Sequence, residues 1–201
     1  MTAQKARPDP LLLAGWPRTT ERLVIRRATP HDAHVAYSLR RREEVSRWLT
    51  ELPTDLDAYR NAFALPERLA TTLVVEHEGH VIGDLMLAVE DSWYQQETNP
   101  SERGQQGELG WLLDPAYSGL GYATEAVREL IDVAFDDLAL HRVTAMCFAA
   151  NDRSWQLMER AGLRRETHAL GGALHRNGTW MDTYGYALTS AEWKPQRRPR
   201  V

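Results

Sequence analysis

The order of the predicted elements indicates an α/β (α+β) domain with a mixed central sheet of about seven strands, flanked by helices. Two observations carry this prediction. From Glu108 onward the chain alternates strand, glycine turn, helix, strand, helix and strand. In addition, two pairs of β-rich segments are each separated by a short turn that contains glycine, which predicts two antiparallel hairpins.

The first strand follows a proline-containing extension. Residues 1–19 carry three prolines and one short apolar patch, so we expect a segment that is disordered or laid over the domain surface. Glu21–Ala28 alternates well enough for a strand, with Leu23 and Ile25 on one face. The domain proper is therefore predicted to begin near Thr20.

Helical segments come next and lead into the first hairpin. His31–Trp48 has spaced apolar residues among Arg and Glu, which predicts one or two surface helices. Asp55–Leu69 predicts a further helical stretch that Pro66 interrupts. Thr71–Glu76 and Val81–Val89 are rich in β-forming residues and predict an antiparallel hairpin.

A long polar excursion separates this hairpin from the second half of the chain. It spans Asp91–Gln106 and carries Trp93 and Tyr94, which would line a substrate wall, stack on a cation or cover the core. The elements after it are predicted as a strand at 108–113, a glycine turn at 114–121, a helix at 122–138, a strand at 142–149 and a helix at 151–161.

The closing hairpin is predicted from a turn signal. Strand material at 169–174 and 179–188 flanks Asn177-Gly178, a dipeptide typical of two-residue hairpin turns. Residues 194–201 hold four basic residues and predict a frayed basic tail. These boundaries leave residues 20–193 as the single predicted domain.

Composition excludes several classes of protein. Lys and Arg number 24 against 28 Asp and Glu, and the net charge of −4 is too mild to indicate nucleic-acid or membrane binding. Apolar runs such as Leu11–Leu13 and Trp111–Leu113 fall far short of a bilayer span. No signal-like stretch is recognised, so we expect a cytoplasmic protein. The single cysteine, Cys147, sits in an apolar run and is expected to be buried and inert.

The most informative stretch is the glycine turn before the helix at 122–138. Its sequence from Ser118 to Ala126 is SGLGYATEA, and the backbone N–H groups at such a helix start have no helical partner. Because Gly119 and Gly121 remove side chains from the approach, a pyrophosphate could reach those donors. A tight turn without any ligand is the alternative. No Gly-Lys-Ser/Thr follows, which excludes a Walker loop, and Thr124 stands where a dinucleotide fingerprint needs its third glycine.

Further motifs accompany this turn in a characteristic order. They are Thr20-Glu21-Arg22-Leu23 with Arg26 and Asp32, Val81-Ile82-Gly83, Glu108-Leu109-Gly110-Trp111, Gly119–Ala126, His141-Arg142-Val143, Asn151–Ser154 with Ala161-Gly162-Leu163, and Asp182–Leu188 ending in Glu192-Trp193. In this order and spacing, over about Thr20–Trp193, the chain resembles the GCN5-related N-acetyltransferase (GNAT) superfamily. Within it, the chain is most similar to the branch that acetylates the N-terminal alanine or serine of ribosomal proteins.

The resemblance implies a GNAT-type splayed sheet, with acetyl-CoA in a gap between the parallel strands at 108–113 and 142–149. The cofactor-binding residues it implies are Trp111, Leu112, Leu113, Ser118, Gly119, Leu120, Gly121, Tyr122, Ala123, Asn151 and Ser154. By the same analogy Asn151 bonds the pantetheine arm, although Asn there could equally cap a helix. Ser154 is expected near the thioester sulfur as a catalytic proton donor. The family turn usually starts with Arg or Gln, so Ser118 departs from the pattern and weakens one side-chain contact.

Acetyl transfer to an amine requires a neutral nucleophile, a polarised carbonyl and a protonated leaving sulfur. Deprotonation at pH 7 costs roughly 4.6 kcal/mol for a lysine amine but only about 1.4 kcal/mol for an α-amine, which favours N-terminal amines. Glu108 opens its strand at the expected cleft and is predicted as the catalytic base acting through water, or else as a solvated strand-end residue. An N–H of Trp111–Leu113, if splaying frees it, could polarise the carbonyl.

Charge and histidine patterns add weaker hypotheses. Between Asp84 and Asp114 seven acidic residues stand against one basic residue, so this stretch either attracts a cationic amine or is a solvated loop. Two histidine pairs have ligand-like spacing, but no cysteine lies nearby to complete either set. No metal is therefore predicted.

Together these observations predict an acetyl-CoA-dependent N-acetyltransferase that transfers the acetyl group directly to a primary amine in a ternary complex. The expected partners are acetyl-CoA and an amine acceptor, either a peptide N-terminus or a small-molecule amine. Neither nucleic acid nor membrane is expected as a partner, and a homodimer is one assembly that the family implies. Two alternatives stay open, namely a non-catalytic acyl-CoA-binding or regulatory module and a dinucleotide-dependent oxidoreductase.

Overall fold

The computed structural model describes residues 9–95, 97 and 105–196. Within these residues one sheet contains eight strands: β1 Arg18–Thr19, β2 Val24–Arg27, β3 Thr72–His77, β4 His80–Asp91, β5 Gln105–Leu113, β6 Arg142–Phe148, β7 Arg164–Leu174 and β8 Trp180–Thr189. Their order across the sheet is β1-β2-β3-β4-β5-β6-β8-β7. All neighbours among these described strands are antiparallel except β5 and β6, which run parallel. The prediction of a mixed sheet is confirmed, and β1 adds one strand to the number expected.

Helices cover both faces of this sheet. They are α1 Ala33–Arg40, α2 Glu43–Ser46, α3 Leu56–Phe63, α4 Pro66–Leu69, α5 Tyr122–Asp132, α6 Asp152–Ala161 and α7 Ser190–Gln196. The helical stretch predicted over 55–69 is interrupted at Pro66, which begins α4 because the first helical position needs no N–H. A π turn at Val133–Asp137 extends α5 toward the predicted end of its helix. In the described part of the chain, no helix has the length and apolar character that a membrane span requires.

Both predicted hairpins are present. β3 and β4 are joined at Glu78 and Gly79, whose φ angles of 49° and 78° give the left-handed pair that a tight hairpin turn needs. β7 and β8 are joined through Gly178, where φ is 86°. The turn chemistry read from these short segments therefore predicted the strand pairing correctly.

The core lies on both faces of the sheet. On one face α5 contributes Val127 and Ile131, which are fully buried against the strands. On the other face α3 contributes Phe63, also fully buried. Each such side chain stabilises the fold by roughly 1.5–3 kcal/mol. Leu11 joins the first core as well, so the described part of the extension is laid over the domain.

The sheet opens between its two parallel strands. β5 and β6 pair only at Gln106–Arg142, Gly107–Val143 and Glu108–Thr144. Beyond this point β5 continues to pair with β4 as far as Leu113, and β6 continues to pair with β8 as far as Phe148. Because each strand follows its own antiparallel partner, the two halves diverge and leave a gap in the middle of the sheet.

Candidate active site

A large cleft occupies this gap and continues on to both sides of the sheet. Its volume is about 1860 Å³, whereas pockets for one small ligand typically have roughly 300–1,000 Å³. The cleft is therefore larger than a site for one small ligand requires. All of the predicted site residues line it except Leu120, whose side chain is exposed. The fold thus brings together the glycine turn, the end of β5 and the start of α6.

The glycine turn has the conformation that an anion site requires. Gly119 and Gly121 have φ angles of 79° and 84°, and Gly121 is the residue from which α5 begins. A Cβ on Gly119 would meet no atom within 4 Å, so the turn is open to a ligand. The Glu125 N–H donates to the Gly121 carbonyl at 3.0 Å, which leaves the amides between them without a helical acceptor. The Ser118 N–H already donates to Pro115, so residue 118 offers its hydroxyl.

Residues just before β2 form hydrogen bonds with this turn and with the start of α5. Thr20 Oγ1 donates to Glu125 Oε1 at 2.6 Å, and Arg22 Nε donates to Glu125 Oε2 at 2.8 Å. Arg22 Nη1 donates to the Leu120 carbonyl at 2.9 Å, and its guanidinium lies 4.5 Å from the Tyr122 ring centroid. Burial by itself would raise the pKa of Glu125, but the hydrogen bonds from Thr20 and Arg22 lower this pKa overall. Arg22 and Glu125 are 103 residues apart, so no local pattern could assign the two motifs a shared role.

The hydrogen bonds between β5 and β4 show in which direction each N–H group of β5 points. Asp114 N–H donates to the Ile82 carbonyl at 2.7 Å, and the register between the strands has no shift. Because bonded positions alternate along an antiparallel pair, the Leu112 N–H points to β4. The N–H groups of Trp111 and Leu113 then point toward the gap, where splaying removes their strand partner.

The start of α6 supplies the opposite wall. Asn151 occupies the N-cap position but makes no side-chain cap bond, so its amide is available to the cleft. The Ser154 hydroxyl lies beside the Cys147 thiol. Burial raises the pKa of Cys147 to about 11, against the opposing effect of this hydroxyl. The expectation that Cys147 is buried is wrong, since the residue is half-buried and lines the cleft. Its thiol nevertheless stays protonated near neutral pH.

Glu108 stands at the point where the strands separate. Its side chain is exposed to the cleft, and its carboxylate has no hydrogen bond or ion pair with any residue that the structure describes. The acidic stretch around it is less negative than its composition indicates. Asp84 is buried and paired with buried Arg40, with Nη2 and Oδ1 2.9 Å apart, and Asp114 is paired with Arg42.

The described aromatic residues that follow β4 are exposed. Trp93 is 95% exposed and Tyr94 is 48% exposed, so the core-covering alternative is wrong for Trp93. Residues 96 and 98–104 of the predicted excursion lie outside the described residues.

A contact between distant segments borders the far side of the cleft, and the sequence analysis did not find it. The loop after α2 is bonded to the turn of the last hairpin, where the His175 ring Nε2 lies 2.9 Å from the Arg47 carbonyl oxygen and Arg176 Nη2 donates to the Leu49 carbonyl at 2.5 Å. Trp48 packs beside Phe148, with ring centroids 6.3 Å apart. The partners are more than 120 residues apart in the chain, so no local pattern could relate them.

Comparison with known proteins agrees with this geometry. Residues 22–164 match the family described as acetyltransferase (GNAT) domain. The chain belongs to the GNAT family. A putative ribosomal N-acetyltransferase of Bacillus subtilis, YdaF, is 28% identical over 184 residues, which cover 90% of this chain and 98% of that protein. Acetyltransferase activity is therefore supported in general terms, without a specified amine.

Solved structures share the same architecture. A GNAT-family acetyltransferase from Bacillus anthracis superposes with a TM-score of 0.71 at 27% identity, covering 86% of this chain and 98% of the other. The aminoglycoside acetyltransferase AAC(6')-Ib in complex with coenzyme A has a TM-score of 0.68 at 23% identity, covering 88% and 99%. The latter likeness bears on the fold alone.

Proposed function

We propose that this GNAT protein transfers the acetyl group of acetyl-CoA directly to a primary amine, and that the N-terminal amine of a protein or peptide is the preferred acceptor. The observation that carries this proposal is the open gap between β5 and β6. Glu108 stands at its origin, two backbone amides point into it, and a glycine turn at a helix start lines the same cleft.

The residues present suit coenzyme A. Two left-handed glycines keep side chains away from the amides at the start of α5, which is the arrangement that binds diphosphates. Asn151 keeps its side-chain amide free for the peptide-like groups of a pantetheine arm. When bound, acetyl-CoA supplies the activated acyl group and a thiolate leaving group.

Three groups of this chain would carry the chemistry. An N–H of Trp111 or Leu113 would donate to the thioester oxygen and stabilise negative charge there. Glu108 would accept the proton of the amine through a water molecule, since its carboxylate is exposed in the cleft. Ser154, whose hydroxyl lies beside Cys147, would donate a proton toward the leaving sulfur. Cys147 itself is a poor nucleophile because its pKa is raised, which favours direct transfer over an acetylated enzyme.

The preference for an N-terminal amine rests on two considerations. An α-amine is deprotonated at a cost about 3 kcal/mol lower than a lysine amine at neutral pH, so a single carboxylate base suffices. One of the relatives is named as a putative ribosomal N-acetyltransferase. We therefore retain the ribosomal-protein branch, with alanine or serine termini, as the specific proposal. A homodimer, a cytoplasmic location and the domain limits at 20–193 stay predictions.

A panel of amines tests the proposal. Release of coenzyme A thiol should be measured with peptides that begin with Ala or Ser, with their N-terminally blocked forms that keep one internal lysine, with a polyamine and with an aminoglycoside. We expect turnover with the free peptides, and mass spectrometry should place one acetyl group on the α-amine. Preferred turnover of the aminoglycoside or polyamine would contradict the peptide acceptor. Binding of coenzyme A without turnover of any amine would indicate the non-catalytic module.

A further inference from the structure

Arg22, which is outside the cofactor-binding set, contacts both the glycine turn and the start of α5. It donates to the Leu120 carbonyl and to both oxygens of Glu125, counting its backbone N–H, and it covers the Tyr122 ring. A Cβ placed on Gly121 would come within 3.3 Å of Arg22 Nη2, so the guanidinium also packs against the turn backbone. One side chain therefore contacts three consecutive residues of the turn and the first turn of α5.

We propose that Arg22 is a positioning residue for coenzyme A, which sets the conformation of the glycine turn and neutralises Glu125 beside the diphosphate site. This inference rests on the proposed function of the turn. The inference adds Arg22 to the residues proposed to bind coenzyme A. The addition concerns a turn that starts with Ser118, where the family usually has the longer side chain of Arg or Gln.

Two physical effects support this role. A free carbonyl at Leu120 and an unpaired carboxylate at Glu125 would both place negative charge next to a bound diphosphate and repel it. Arg22 satisfies both groups at once with hydrogen bonds of 2.8–2.9 Å. Because Gly119 and Gly121 are flexible in the absence of such bonds, Arg22 also reduces the number of conformations the turn can adopt.

The charge of Arg22 alone does not provide these contacts. The planar guanidinium uses Nε and Nη2 toward Glu125 and Nη1 toward Leu120. A lysine ammonium is a compact charge and lacks this fork, so Arg22→Lys should keep the charge but lose part of the geometry. Arg164 offers a matched control, because it also contacts a carboxylate through Nε, with 2.6 Å to Glu192, and does not line the cleft.

The test is calorimetric titration of the full chain with coenzyme A, together with steady-state kinetics. We expect Arg22→Gln to weaken coenzyme A binding about 10- to 100-fold, as for loss of charged hydrogen bonds. The KM for acetyl-CoA should rise in parallel, while kcat and the KM for the amine stay within about twofold of wild type. Arg22→Lys should recover only part of the affinity, and Arg164→Gln should bind normally.

Other results for these variants would contradict the role proposed for Arg22. Unchanged affinity in Arg22→Gln would overturn the inference, and full recovery in Arg22→Lys would overturn the positioning role in favour of charge alone. If Arg22→Gln does not fold, the affinity for coenzyme A is measured with Arg22→Lys instead. Wild-type affinity of Arg22→Lys would then count against the inference. Absence of coenzyme A binding by the wild-type chain would overturn the proposed function itself, which distinguishes the two failures.

Discussion

Glu108 and Thr144 form the last residue pair between the two parallel strands, and the sheet is open beyond them. This pairing places the Glu108 carboxylate at the origin of the gap instead of along its wall. Glu108 is therefore close to where the strand amides lose their partner, and in the proposed reaction proton removal and carbonyl polarisation would take place in one region.

The first prediction concerns Glu108. Glu108→Gln should lower kcat about 100-fold or more, because general-base assistance is lost while the shape is preserved. Coenzyme A affinity, measured by calorimetry, should stay nearly unchanged. Glu90→Gln is the matched control, since Glu90 lies on the neighbouring strand, is paired with Gln106 and does not line the cleft. Wild-type turnover of Glu108→Gln at saturating amine would remove Glu108 from the mechanism.

The second prediction concerns the glycine turn. Gly121→Val should abolish measurable binding of coenzyme A, because a β-branched residue at a φ of 84° is strained and its Cβ would crowd Arg22. Gly178→Val imposes a similar backbone penalty at a φ of 86° in the last hairpin, where a Cβ meets no atom within 4 Å. It should lose stability yet keep coenzyme A affinity. Undiminished binding by Gly121→Val would count against the turn as the diphosphate site.

The third prediction concerns the buried ion pair of Asp84 and Arg40, which borders the cleft. Asp84→Asn should lower the free energy of unfolding by about 3–5 kcal/mol, because it leaves the Arg40 charge buried without a counterion. Asp57→Asn breaks an exposed pair with Arg60 at 3.7 Å and should change stability by about 0–1 kcal/mol. Urea denaturation measures both values. Equal effects of the two substitutions would show that burial does not determine the cost.

The fourth prediction concerns the pH dependence of Cys147. Its folded pKa of about 11 lies above its ordinary value of 9.0, so the folded protein binds more protons than the unfolded chain between these values. The stability that this group contributes is therefore complete below pH 9 and is lost as the pH rises toward 11.

Alkylation by iodoacetamide gives a direct measurement of the same shift. Because the chain has one cysteine, mass spectrometry reports Cys147 alone. At pH 8 its labelling should be roughly 100-fold slower than that of a model peptide thiol, and should accelerate as the pH approaches 11. Labelling at the peptide's rate at pH 8 would contradict the raised pKa.

Local patterns were sufficient for most elements of the fold. The alternation at Leu23 and Ile25 predicted a buried strand face, and the Asn177-Gly178 turn predicted the last hairpin. Pro66 interrupts the helical stretch as predicted, and it does so as the first residue of α4, a position where proline is tolerated. Strand β1 was missed because two residues carry no measurable periodicity.

Hydrophobic periodicity, turn residues and the glycine motif are properties of neighbouring residues, and for this reason they predicted the mixed sheet, the helix starts and the turn at Gly119 and Gly121. Which groups meet around that turn became evident only in the folded chain. The contacts of Arg22 with Glu125 and of Arg47 with His175 each join segments more than 100 residues apart. Such pairs depend on how the chain packs in three dimensions, and no spacing along a sequence encodes the distance between two atoms.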